Sequence, residues 1–276
     1  MKIRTFNNRE KMYINIAVSL LFIGIILGLS YLLPNSFLIS DVNKKNLLPS
    51  IKNLFGTDWL GRDMFTRTIK GIRLSIYIGF ITSLISLIIA VILAGLSAMG
   101  GKFLDNFISW LIEIFIGMPH LVFMILLAFI VGGGEKGIIV GVGLTHWPSL
   151  ARMLRAEILK IKTENFIEIS RQFGKSEYFI FKEHILKHII TQMIVGFTLL
   201  FPHVILHESA LTFLGFGLSP QTPALGIILS EGVGNISRGY WWLILFPAIF
   251  LILIVKSFDS IGERIKILLN PTRLHE

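Results

Sequence analysis

The chain has 276 residues, 53% hydrophobic and only 16% charged, with mean hydropathy +0.73. Soluble domains carry roughly 25% charged residues, so an ordinary soluble enzyme is excluded and a polytopic membrane protein is indicated. The net charge is +9 and there is no cysteine, which removes disulfides, thiolate metal sites and cysteine nucleophiles. The basic residues cluster between apolar runs, so they report membrane topology and not nucleic-acid binding.

A bilayer core takes about 20 mostly apolar residues per helix. The first predicted span is 14–33, preceded by Lys2, Arg4, Arg9 and Lys11. It is longer than a signal-peptide core and no small-x-small site follows, so it reads as an uncleaved first helix. The other predicted spans are 74–98, 107–131, 137–154, 188–210 and 241–258. Six helices, all-α, are therefore expected. The third carries Glu113 and His120, the fourth starts after Gly132-Gly133-Gly134, and its end at Arg152 and Arg155 points into the interface. The pairs Gly24/Gly28 and Gly137/Gly141 fit close helix packing.

Lys and Arg gather on the cytoplasmic side of a membrane. With the N-terminus inside, the inner segments hold 17 and the outer ones 9 of the 26. Both termini are thus expected to be cytoplasmic. Two outer segments are long. In 34–72, Trp59, Leu60, Met64, Phe65 and Ile69 form one face of an expected interfacial helix. Residues 213–240 read as a loop with turns at Pro220 and Pro223.

The most informative stretch is 157–190, EILKIKTENFIEISRQFGKSEYFIFKEHILKHII, a polar and basic interruption between apolar runs. It reads as two short helices hinged at Gly174, a platform for a soluble partner. Gly174 ends the first helix, Ser176 caps the second, and Glu177 sits in its first turn. Gly174-Lys175-Ser176 is no nucleotide loop, because Ile169 stands where a P-loop needs glycine and a helical pattern precedes it.

FIEISRQFG followed by HIL resembles the EAA loop of ABC importer permeases, with Glu168, Gly174, His184, Ile185 and Leu186 matching. Ile169 and Ser170 replace the two alanines of that loop, and Lys187 replaces its proline. GTDWLGRDMFTRTIKGIRLSI and HESALTFLGFGLSPQTPALG resemble two further stretches of the dipeptide, oligopeptide and nickel importer permeases, second ("C") subunit; DSIGERIKILLNP resembles their tail through Gly262 and Pro271. The resemblance spans about 55–271. It implies a type I ABC importer permease fold, with an N-terminal part over 1–70, a permease core over 71–262 containing a coupling loop at 157–187, and a tail at 263–276. It implies a multi-pass protein of the cell membrane, a second permease subunit as heterodimer partner, two cytoplasmic ATPase subunits and an extracellular substrate-binding protein. Phe173 and Tyr178 would plug a cleft on the ATPase, with Glu168 and Arg171 in polar contact and His184 and Leu186 in the same loop. No cofactor, no nucleic acid and no enzymatic activity of the chain itself is expected.

Charge inside a span costs about 2.5–3.5 kcal/mol at the helix centre, so Glu113 and Glu208 should face a partner helix or water. His120, His146, His203 and His207 all lie in or near spans, and His203 and His207 share a face at i,i+4. Each alone reads as a hydrogen bond to a neighbouring helix. Together they favour a translocation path for nickel or a small metal chelate over one for di- or oligopeptides, imidazole being a good nickel ligand, with Glu113 and Glu208 counted beside them as possible path residues. An ion-gradient-coupled transporter is the nearest different class, and the platform argues against it. An intramembrane protease would need His-Glu-x-x-His, and His203 to His207 followed by Glu208 lacks the internal glutamate.

Overall fold

The computed structural model describes residues 8–269. The charges at Lys2, Arg4 and Arg273 and the motif proline Pro271 lie outside them. The described residues are helical, with one isolated bridge between Thr57 and Asp63 and no strand. In chain order the helices are α1 (Asn8–Leu32), α2 (Met64–Met99), α3 (Lys102–Gly117), α4 (His120–Ile130), α5 (Gly134–Gly143) and α6 (Trp147–Ile161). Then come α7 (Asn165–Gln172), α8 (Glu177–Ile180), a π turn (Phe181–Ile185), α9 (Leu186–Phe213), α10 (Leu225–Val233) and α11 (Trp242–Leu269).

Four stretches are long and apolar enough to cross a bilayer among the described residues: Arg9–Leu32, Met64–Met99, Glu177–Phe213 and Trp242–Leu269. The pair α3 and α4 makes a fifth if taken as one span, but it bends by 100° at its break. The six expected spans are corrected on that basis. The third is broken at Met118-Pro119, because proline cannot donate the helical hydrogen bond and fixes its own φ. The fourth is two helices, α5 and α6, separated at Leu144 to His146. There Thr145 Oγ1 donates to the carbonyls of Gly141 and Val142, each at 3.0 Å, and Pro148 opens the next helix.

α2 is the central mast. It begins ten residues before the expected span, where the Asp63 side chain accepts from Thr66 N at 2.8 Å and caps it. The expected interfacial helix is therefore absent. Met64, Phe65 and Ile69 belong to the first turns of α2, with Met64 and Ile69 buried, while Trp59 stays half exposed in the preceding loop. The loop expected over 213–240 likewise contains α10, whose buried Leu225, Gly226, Ile227 and Ile228 pack under α9 and α11. Only its flanks are turns.

α2 packs most heavily on α6 and α9, and α9 on α11. In lipid the hydrophobic effect does not drive helices together, so close approach and polar contacts must hold them. Small residues provide the first. A Cβ on Gly137 or Gly141 would stand 2.8 Å from the carbonyl of Ala128 or Met124, so the expected tight packing occurs there, between α5 and α4. Gly24 and Gly28 have open space, and the same expectation fails for that pair within the chain. Hydrogen bonds provide the second: Ser86 Oγ donates to the Gly143 carbonyl at 2.7 Å, joining α2 to α5. Such bonds contribute about 0.6 kcal/mol each in a bilayer.

Candidate functional site: a helical platform, a histidine cavity and an ionic clasp

The platform is built on a buried isoleucine footing. Ile167, Ile180 and Ile185 are fully buried against Ala98, Ile158 and Ile161, so one end of α2 and the end of α6 support it. The Phe181 ring lies over Gly95 of α2, where a Cβ would stand 2.9 Å from it. A brace above the footing joins α3 to α6. Arg155 Nε and Nη2 donate to the two Asp105 carboxylate oxygens at 2.6 Å each, and Ser97 Oγ donates to the same carboxylate. Arg155 is thus a structural tie and only Arg152 is exposed.

Local sequence rules then shape the top. α7 ends at Gln172, and Gly174 follows at φ +71 in the left-handed region. Ser176 Oγ accepts from Phe179 N at 3.2 Å and caps α8, as expected. Arg171 Nε donates to Glu177 Oε1 at 2.8 Å across the hinge. Arg171 also lies 3.8 Å from Glu168, whose side chain is 63% exposed. His184 Nε2 meets Ser170 Oγ at 3.0 Å, and Leu186 packs on the footing. Phe173 and Tyr178 face outward at 78% and 74% exposure. Burying an aromatic of this size is worth about 1.5–3 kcal/mol, so two of them left open on a braced support form a ready contact surface. One expectation changes: the second short helix is not separate. α8 runs through the π turn into α9 without interruption.

The second feature is a cavity of about 400 Å³ walled by His120, His146, His203 and His207 with Phe115 and Leu200 among its lining. His120 is the first residue of α4, His146 sits in the break before α6, and His207 is on α9. Their ring centroids are 4.6, 5.0 and 5.1 Å apart. His203 lines the cavity one turn away but is exposed and stands outside this triangle. Glu208 is not in the cavity. It is fully buried, accepting from Ser75 Oγ at 2.6 Å, Thr212 Oγ1 at 3.1 Å and Ser209 Oγ at 3.3 Å, and it ties α9 to α2. Glu113 is exposed on α3.

Sequence reasoning missed a third feature. Asp58 Oδ2 accepts from Arg62 Nε at 2.7 Å and Arg67 Nη1 at 2.6 Å. Arg67 Nη1 also donates to Glu231 at 2.8 Å, and Arg62 Nη2 reaches the same carboxylate at 3.2 Å. Trp242 Nε1 donates to the Thr57 carbonyl at 3.2 Å. The clasp fastens the 57–62 loop and the start of α2 to α10 and α11. The signal available was the pairing of acidic and basic residues in GTDWLGRDMFTR with the one acid of α10.

A family model described as "Binding-protein-dependent transport system inner membrane component" matches residues 86–266. The dipeptide transport system permease protein DppC of Bacillus subtilis is 35% identical over 251 residues, covering 91% of this chain and 78% of the relative. The oligopeptide transport system permease protein OppC of the same organism is 32% identical over 260 residues, 92% of this chain and 84% of the relative. Among solved structures, a chain of the MetNI methionine ABC transporter in inward-facing form aligns with TM-score 0.62 at 19% identity, covering 75% of this chain and 98% of that one. The likeness is one of fold, the type I importer permease fold.

Proposed function

The chain belongs to the inner-membrane components of binding-protein-dependent transport systems, the permease subunits of ABC importers, and from that premise we infer that it imports di- or oligopeptides as half of a permease pair. It is a transport subunit and not an enzyme; ATP is hydrolysed by partner chains. The observation that carries the coupling role is the platform, with Phe173 and Tyr178 exposed on an anchored helical turn. In this reading they enter a cleft on the ATPase, Glu168 and Arg171 supply polar contacts at its edge, and an extracellular binding protein delivers cargo to the opposite face. The exposed Glu113 is left for the second permease subunit or for water.

The nickel cargo favoured by the four histidines gives way to peptide. The DppC and OppC relatives carry peptide names, and Glu208 is occupied by hydroxyl donors inside the helix packing. Deleting the chain should abolish growth on dipeptides as sole source of a required amino acid and leave uptake of radioactive nickel unchanged. The opposite pattern would restore nickel as cargo.

Orientation follows from the Lys/Arg distribution. A cysteine at Ser176 of this cysteine-free chain should react with an impermeant maleimide only after the cytoplasmic side is opened, and one at Gln221 should react in intact cells. Both positions are exposed, so access and not burial decides the result. Reversed labelling would invert the topology.

A further inference from the structure

We propose that His120, His146 and His207 form a binding site for a divalent first-row transition metal, which ties three helices together at their breaks. The nitrogen atoms these rings offer all lie within 4.8 Å of one another. They come from separate pieces of the fold: His120 just past the 100° bend, His146 in the break between α5 and α6, and His207 on α9. Nothing in helix packing alone requires three imidazoles to meet at one point.

The tautomer supports ligation. His146 Nδ1 lies 2.9 Å from the Val142 carbonyl, an acceptor only, so Nδ1 carries the proton. Thr145 Oγ1, 3.2 Å from the same nitrogen, already points its hydrogen at backbone carbonyls. The lone pair of His146 is therefore on Nε2. That atom is buried and has no hydrogen-bond partner. A backbone carbonyl holding one ring nitrogen while the other faces outward is how ligating imidazoles are oriented. His120 Nε2, 3.4 Å from the Thr145 carbonyl, makes only a long contact that a metal can replace.

Imidazole suits zinc, copper and nickel, and three imidazoles leave one position for water. Metal–nitrogen bonds of about 2.0–2.1 Å place ligand nitrogens about 3.4 Å apart in a tetrahedron. The triangle must contract by up to about 1.4 Å, within reach of small side-chain rotations about half-buried rings. Among the described residues no acid lines the cavity, so the three imidazoles leave the ion's charge uncompensated. The ion would join α4, the α5–α6 break and α9, elements that must move relative to one another if this wall of the path opens. Slowing of uptake by zinc rests on the transport reading; binding does not.

The assembled transporter tests both, in detergent for binding and in sealed proteoliposomes for uptake. Calorimetry with Zn²⁺ should show one ion per copy of this chain, and Co²⁺ should give the intense visible absorption of a tetrahedral site. His146→Asn keeps a nitrogen donor for the Val142 carbonyl but offers no Nε2, so it preserves the local fold and removes a ligand. It should weaken Zn²⁺ binding at least tenfold, and the H120A/H146A/H207A variant should abolish it. Zinc should slow peptide uptake by the parent transporter and not by His146→Asn. Binding is read whether or not peptide is carried, so failure of the transport reading shows separately. Wild-type stoichiometry and affinity in the triple variant, or no zinc binding by the parent, would overturn the site. Binding without any effect on uptake would overturn the tie.

Discussion

Valine at Gly174 is expected to cut peptide transport by at least about tenfold, with normal amounts of the chain in the membrane. Gly174 has φ +71, and a Cβ built there meets nothing within 4 Å. A clash of that Cβ within the chain is therefore excluded, and backbone strain is the effect inside the platform. A β-branched residue held in the left-handed region costs about 1–3 kcal/mol, enough to favour a different hinge between α7 and α8. That hinge sets the relative aim of Phe173 and Tyr178. Asparagine tolerates the left-handed region, so Gly174→Asn should keep most activity. Uptake and transport-stimulated ATP hydrolysis, measured together, check this. Normal coupling in the valine variant would remove the docking role from the platform.

The second large effect concerns the ionic clasp. Asp58→Ala should destabilise the folded chain by about 3–5 kcal/mol, because it leaves buried Arg67 short of its partner. Asp58 and Arg67 side chains are each 2% exposed, whereas Glu231 is 21% exposed. Glu231→Ala should therefore cost less, as water can replace part of what it supplies. Asp58 Oδ1 also accepts from the backbone N–H groups of Leu60 and Arg62 at 2.9 Å each. Asp58→Asn retains those loop bonds and separates the charge from the turn. Resistance to protease and to urea in detergent, compared across the three variants, should fall in the order Glu231→Ala, Asp58→Asn, Asp58→Ala. Equal stability of Asp58→Ala and the parent would mean that the clasp carries no net energy.

The long apolar runs, the hinge at Gly174 and the cap at Ser176 were legible because each depends on neighbours in sequence. Composition alone hid the kink at Pro119, where the apolar pattern runs on through the break. The first turns of α2 were read as interfacial from the apolar face of Trp59, Leu60, Met64, Phe65 and Ile69; the partners that hold Arg67 and Lys70 inside, Asp58, Glu231 and Asn35, are distant in sequence or hidden by the loop fold. The i,i+4 rule found His203 with His207, which share a helix face. It had no means of finding His120 and His146, brought to His207 only by two breaks in the chain. The motif glutamate Glu208 was expected to face a partner helix or water; its three hydroxyl partners are a tertiary fact.

The continuity of α8, the π turn and α9 has a mechanical consequence. From Glu177 to His207 the backbone is one helical lever about 45 Å long at 1.5 Å per residue. A rod of this kind delivers an axial stroke at one end to the other with little loss, except where its hydrogen-bond ladder is irregular. Two such places exist, the π turn at Phe181–Ile185 and Pro202. Compliance is concentrated there, so a tilt imposed at Tyr178 reaches His207 and Glu208 as bending about two fixed joints.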